Sequence, residues 1–486
     1  MSGLTVNQEK IAEKINFNWK SSELKAGVIV LAVFFLLWLL PTPAGLNDNA
    51  WKLFAIFAAT ILGVILKPLP MGSIAIIATA TCTITNTLTL NQALESFSSG
   101  IIWLILISFL LARGFVKTGL GSRIAYHFVY FFGKTTLGLA YGLVITETML
   151  APFTPSSTAR GAGIIFPIAS ALSNEFNSNP NDGTQNVMGA YLMKVCYHTN
   201  IITSALFLTS MAANPIIAIL AGDLGLQLSW VNWAMATFVP GIISLIVTPL
   251  IIYFLYPPEV KHTASAKEFA TQKLAEMGSL KVSEITMIIT FGLLLVLWVM
   301  GGILGVHPTS AALVGLSILL FTRVLEWDDI LNEKAGWNTF IWLSTLLNMT
   351  NFLAKFGLML WVSNKMQLLV AGMSWITSLP LLALIYFYSH YAFASLTAHI
   401  TSMYSAFAMV AINTGAPIGL TIMLLAVFSN LCACLTHYGS GTAPIYFGTN
   451  YVSFKAWWRT GALISLSHLL IWGGLGSIWW KILGLW

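Results

Sequence analysis

The chain has 486 residues with 23 Lys or Arg and 17 Asp or Glu, so 8% is charged, against roughly 25% in a soluble protein. With 57% apolar residues and a mean hydropathy of +0.81, the composition excludes a soluble enzyme, a disordered chain and a secreted disulfide scaffold. It leaves an all-α polytopic membrane protein, since short alternating segments of a β-barrel are missing. The net charge of +6 is small for this length. It reads as loop charge against a membrane surface, not as nucleic-acid binding.

The N-terminal stretch mixes Glu9, Glu13 and Glu23 with Lys10, Lys14, Lys20 and Lys25, which fits neither a cleavable signal nor a transit peptide. Those lysines precede the first span and place the N-terminus in the cytoplasm. A crossing helix needs about 20 mostly apolar residues. Charge-poor runs at 26–47, 55–66, 71–90, 96–112, 195–222 and 224–258 supply six crossings before a polar linker at 259–284. The linker, with Lys261, Lys267, Lys273 and Lys281, should also be cytoplasmic. After it, 285–322 holds two helices split at Gly305-Val306-His307-Pro308, 335–354 holds one, 366–454 is free of formal charge and 460–480 is last. Eleven crossings put the C-terminus outside.

An ordinary span fails between 133 and 174, which carries Glu147, Pro152, Pro155, Arg160 and Pro167. Such residues in lipid would break backbone bonds and expose charge. A re-entrant hairpin with a non-helical tip near 154–158 fits instead, because irregular backbone is tolerated where protein or a cavity surrounds it. Arg113, Lys117, Arg123, Lys134 and Lys194 then fall on the cytoplasmic side.

An internal repeat runs through the chain. Ser156-Ser157-Thr158-Ala159-Arg160 matches Ser395-Leu396-Thr397-Ala398-His399 at an offset of 239. Ile102-Trp103-Leu104 matches Ile341-Trp342-Leu343 at the same offset, and Lys117-Thr118-Gly119-Leu120 pairs with Lys355-Phe356-Gly357-Leu358 at 238. The expected organisation is a leading segment with one helix (1–49), a first repeat (50–256), the linker (257–284) and a second repeat (285–486). Five crossings per half invert the second against the first, the architecture of secondary transporters. A second hairpin at 374–412, with its tip at 394–397, would enter from outside. Polar breaks follow each hairpin, at 203–215 and 436–444.

Each tip sets Ser-x-Thr before an apolar helix, which is N-cap chemistry. Two helix N-termini facing one cavity offer unpaired N–H groups and the positive ends of two dipoles to an anion with two negative ends. Ser156, Ser157, Thr158, Ser395, Leu396 and Thr397 are the candidate substrate-binding residues at the tips, and Thr209, Thr442 and Pro444 at the breaks. Arg160 and His399, repeat mates, are candidates for charge compensation, with a structural Arg160–Glu147 pair as the alternative. Cys82, Cys196, Cys432 and Cys434 all lie in apolar segments and read as small apolar fillers. Cys432-Ala-Cys434 has no metal-site spacing. Neither a metal nor a cofactor is expected.

With its paired Ser-x-Thr tips, Pro155-Ser156-Ser157-Thr158-Ala159-Arg160-Gly161 and Phe207-Leu208-Thr209-Ser210-Met211-Ala212-Ala213-Asn214-Pro215, the chain resembles the divalent anion/sodium symporter (INDY-like) family. The likeness is to its citrate/succinate and 2-oxoglutarate/malate translocator branch. The resemblance implies a homodimer in the cell membrane, an elevator-type motion and C4 to C6 di- or tricarboxylate substrates such as succinate, malate, fumarate, 2-oxoglutarate or citrate. The family's Ser-Asn-Thr tips have Ser157 and Leu396 at the middle position here. Leu396 gives no side-chain oxygen to a hard cation, so exchange of one dicarboxylate for another without sodium is expected; the alternative is a sodium-coupled symporter of the same fold. An enzyme would need a positioned nucleophile and base, which no spacing of His390, His399 and His437 demands.

Overall fold

The computed structural model describes residues 21–367, 372–393 and 395–486. Lys10, Lys14, Lys20 and the tip residue Ala394 lie outside them. The described residues are helical apart from loops and a single bridge between Thr135 and His262. Among the described residues, seven helices are long and apolar enough to cross a membrane: Ser21–Leu39, Asp48–Leu66, Gly100–Thr118, Thr136–Phe153, Trp230–Leu255, Val282–Gly301 and Phe454–Ile482. Met71–Ile84, Pro308–Phe321 and Ile418–Cys434 are shorter apolar helices.

Burial is inverted relative to a water-soluble protein. Phe321, Ile303, Ile84 and Phe254 project outward, Phe321 with 92% of its surface exposed, while Arg160, Glu147, His390 and His399 are buried. That distribution suits hydrocarbon as the outer solvent and a polar interior. The chain is a multi-pass membrane protein.

The elements recur in order. Helices Met71–Ile84 and Leu90–Leu94 return as Pro308–Phe321 and Trp327–Leu331, 237 residues on. The hairpin limb Thr136–Leu150, its 3-10 turn Ala151–Phe153 and the helix start at Ser157 return as Trp375–Ser389, His390–Ala392 and Leu396, each 239 residues on. Helix starts at Asn214 and Ala443 differ by 229, and those at Trp230 and Phe454 by 224. The shrinking offset measures a shorter loop before Ile418–Leu431 and a shorter helix Ala443–Gly448 in the second half.

Local chemistry explains the boundaries. The helix Val282–Leu304 stops at Gly305, whose φ of 65° suits glycine. Its successor starts at Pro308 with His307 as N-cap, accepting from the Thr309 N–H at 3.2 Å. Helix Trp230–Leu255 contains Pro240 and Pro249. Pro240 cannot donate to the Ala236 carbonyl four residues back, and the Trp480 indole N–H donates there instead, at 2.9 Å.

The linker is a docked element. It contains helix Ser265–Met277, and Arg123 fastens its end by donating to Glu284 at 2.6 and 3.1 Å and to the Gly278 carbonyl at 2.9 Å. Both ends of the first hairpin rest on it. Thr136 N–H donates to the Lys261 carbonyl at 3.1 Å, and beyond Glu175 the carbonyls of Asn186 and Val187 accept from the N–H groups of Glu259 and Val260. Thr136 and the loop that follows Glu175 therefore meet the linker on one side, while Thr136–Phe153, where no ordinary span was expected, is itself long and apolar enough to cross. In the second hairpin the open end is tied by Ser378 and Thr414 hydroxyls 2.8 Å apart.

Candidate functional site

In each hairpin the chain leaves a 3-10 turn through an extended residue, Thr154 or Phe393, and a new helix follows. In the first, Thr154 and Ser156 are extended and the helix begins at Ser157. Ser156 caps it, accepting from the Ala159 N–H at 3.1 Å; Ser395 caps the second, accepting from Ala398 at 3.3 Å. The Ser-x-Thr pattern therefore encodes a Ser cap with the Thr inside the first turn. The hydroxyls of Ser157, Thr158 and Thr397 make no hydrogen bond to a described residue, and all three side chains are half-buried. They and the first N–H groups of both helices remain for a ligand.

Arg160 sits differently from an open cation. Its side chain is fully buried and donates to Glu147 Oε1 at 2.5 Å, the Thr154 carbonyl at 2.6 Å and the Ser210 carbonyl at 3.0 Å. It also reaches the hydroxyls of Thr203 and Ser204 at 3.3 and 3.1 Å. Arg160 thus ties both sides of the first tip to the first break, and its charge is matched by Glu147. His399 is also buried, with its ring 4.4 Å from that of Tyr386 and Nε2 3.0 Å from the Ser389 hydroxyl.

The first break is shorter than expected, because the preceding helix Gly189–Leu206 continues through Thr203. Its open carbonyls are satisfied by side chains: Ser210 donates to Ser204 O at 2.7 Å, and Asn214 donates to Ser204 O and Phe207 O at 2.7 and 2.9 Å. Thr209 lies behind the tip, donating to Pro152 O at 2.5 Å and accepting from Trp230 Nε1 at 3.1 Å. The second break spans 435–442. Thr442 donates to Asn200 Oδ1 at 3.2 Å and lies 2.9 Å from the Ser440 hydroxyl. Pro444, at the start of helix Ala443–Gly448, is exposed. Leu396 packs into the core.

Asn200 is the residue that sequence reading missed. Its amide donates to Glu147 Oε1 at 2.7 Å and to the Ser157 carbonyl at 3.0 Å, while Thr442 bonds its oxygen. One side chain joins the first tip, its ion pair and the second break. The available signal was a buried-amide candidate inside an apolar helix, in His198-Thr199-Asn200. Asn430 similarly donates to Asn214 Oδ1 at 2.8 Å, linking the halves. The second break then reaches both tips. Gly439 O accepts from His390 Nε2 at 2.7 Å. A Cβ on Gly441 would stand 2.5 Å from Thr158 Oγ1, so only glycine fits there without a shift.

Two capped hairpin tips around a broken-helix interior, in an inside-out helical protein, define a membrane carrier and not an enzyme. The chain belongs to the family described as the sodium:sulfate symporter transmembrane region, whose model matches residues 21–486. It is 51% identical over 460 residues to YflS of Bacillus subtilis (strain 168), covering 94% of this chain and 96% of that one. It is 45% identical over 471 residues to dicarboxylate transporter 1, chloroplastic, of Spinacia oleracea, covering 96% and 83%. Its fold is similar to the crystal structure of the Alcanivorax borkumensis YdaH transporter, with a TM-score of 0.56 at 11% identity over 95% of this chain and 98% of that one.

Proposed function

We propose that the protein moves dicarboxylates across the membrane through one site formed by both hairpin tips. The observation that carries this reading is the second break, which touches the first tip at Gly441 and the second at Gly439. Two helix N-termini and the free hydroxyls of Ser157, Thr158 and Thr397 then suit an anion with two carboxylates. Ser156 and Ser395 shape the corners, Leu396 is buried at the second, and Pro444 starts the helix after the second break. Thr209, Thr442 and Arg160 act as positioning residues, since their polar atoms are bonded within the protein. The name of the spinach relative supports the substrate class.

We infer exchange of one dicarboxylate for another as the mode of transport. Leu396 carries it, having no side-chain oxygen for sodium. Arg160 adds no free cation, because Glu147 neutralises it. Uptake of labelled succinate into vesicles decides the matter: exchange requires internal dicarboxylate and ignores sodium. Rapid sodium-driven accumulation in empty vesicles overturns exchange and leaves a symporter.

The recurrent elements support two inverted repeats with cytoplasmic N-terminus and linker and an external C-terminus. A cysteine placed in the linker should label from the cytoplasmic side and one after Leu485 from outside; labelling of both from one side removes the inversion. The same reading has the hairpins in a moving domain of a homodimer, which cross-linking in native membranes tests.

A further inference from the structure

We propose that His390, His399 and Cys432 form a three-coordinate site for one soft monovalent metal ion, Cu+, at the base of the second tip. A ring nitrogen of each histidine and the Cys432 sulfur lie within 4.8 Å of one another, and all three residues are buried. Ligand atoms on one metal, with bonds of roughly 2.0–2.3 Å, stand about 3.7 Å apart, so the cluster needs to contract by about 1 Å.

The hydrogen bonds around the rings fix their state. Gly439 O can only accept, so His390 Nε2 donates to it at 2.7 Å. The Ser389 hydroxyl gives its own hydrogen to Tyr386 O at 2.7 Å, so His399 Nε2 donates to Ser389 Oγ at 3.0 Å. In both rings Nδ1 is buried and without a partner, so each ring in its neutral form presents a lone pair there. Two histidines that each anchor one N–H on a neighbouring oxygen and leave the other nitrogen unpartnered have the outer-shell pattern of metal ligands.

The donor set selects the ion. Thiolate and imidazole favour soft or borderline metals. No fourth His, Cys, Asp or Glu joins the cluster among the described residues, whereas structural zinc takes four ligands. One thiolate, two neutral imidazoles and Cu+ sum to zero charge, and a neutral centre is the one that burial penalises least. Cys432, whose S–H points to Ser429 O at 3.5 Å, loses that proton to water as the Cu–S bond forms. The bound ion would tie the first limb at His390, the second at His399 and the 3-10 turn Cys432–Cys434, holding the tip from behind. The site is independent of the substrate reading.

The test is competition for Cu+ between purified full-length protein in detergent and the chelator bicinchoninate, without oxygen and with ascorbate. Wild type and Cys434→Ser should each bind one Cu+ per chain. Cys432→Ser and His399→Phe should bind more than about tenfold more weakly, the scale at which even outer-shell losses act. Zn2+ should bind the wild type far less tightly. The proposal is overturned by absence of stoichiometric Cu+ binding to the wild type, by undiminished binding in either ligand variant, by loss in Cys434→Ser, or by Zn2+ binding as tightly as Cu+. Should Cys432→Ser not fold, His399→Phe and the wild-type stoichiometry decide.

Discussion

Across the first tip Glu147 and Arg160 meet at 2.5 Å; across the second, the same repeat positions hold Tyr386 and His399, with rings 4.4 Å apart. One plan of limb, 3-10 turn, Ser cap and helix is thus closed by an ion pair in one copy and by a tilted ring contact in the other. The consequences differ. A buried guanidinium needs its donors satisfied, and Arg160 recruits two carbonyls and two hydroxyls from the tip, the first break and the helix before it. Rings in contact need no such partners, so the second hairpin leaves Nδ1 of both His390 and His399 unused. The first tip is built into its surroundings by charge, and the second is held by packing.

The largest effect should come from unbalancing the ion pair. Arg160→Ala strands Glu147, whose Oε2 already has no partner, and should lower stability by about 3–5 kcal/mol. His399→Phe keeps the ring contact and loses one neutral hydrogen bond, at about 1 kcal/mol. Thermal unfolding of the two variants in detergent compares the hairpins directly, and equal losses would abolish the difference drawn above. Replacing both Glu147 and Arg160 by Met should recover much of the loss, since no charge is then left unpaired.

Next in size is ligand binding. Thr158→Val and Thr397→Val keep shape and remove one donor each, so dicarboxylate affinity should fall by ~1–3 kcal/mol, on the order of 5- to 150-fold. Titration with succinate measures both. Wild-type affinity in a folded Thr397→Val variant would confine the site to the first tip. Gly441→Ala should weaken binding by no more than Thr158→Val does, because its new methyl acts by displacing that hydroxyl. In a Thr158→Ala background, which leaves no γ atom to displace, it should therefore add nothing; an added loss would show Gly441 acting by another route.

The smallest effect lies away from both tips. Burial raises the Asp329 pKa, but the Glu326 N–H and the Lys117 ammonium outweigh it and hold the carboxyl below 3.8. Lys117 donates at 2.6 Å and is partly exposed, so screening limits the pair to under about 1 kcal/mol. A group with a lowered folded value stabilises above its unfolded pKa and ceases to as pH falls through the folded one. Asp329→Asn should therefore lose a fraction of a kcal/mol at pH 7, and that difference should shrink below about pH 4 and vanish once the pH is under the folded value. A difference persisting in acid would assign the effect to packing.

Much of this protein was written in local sequence. Charge-free runs determined the membrane class, Gly305 and Pro308 the split between two helices, and Ser156 and Ser395 the caps, because length, backbone dihedrals and first-turn hydrogen bonds are properties of neighbouring residues. The repeat was legible because both copies kept the tip pattern. Tertiary structure alone decided the rest. Whether Arg160 faced a ligand or Glu147 depended on partners 13 to 50 residues away, and Asn200 joins Thr442 across 242 positions. Cys432 came to His390 and His399, and not to a site with Cys434, for the same reason. A buried polar group must find its partner wherever the packed helices bring one, and no spacing along the chain records that choice.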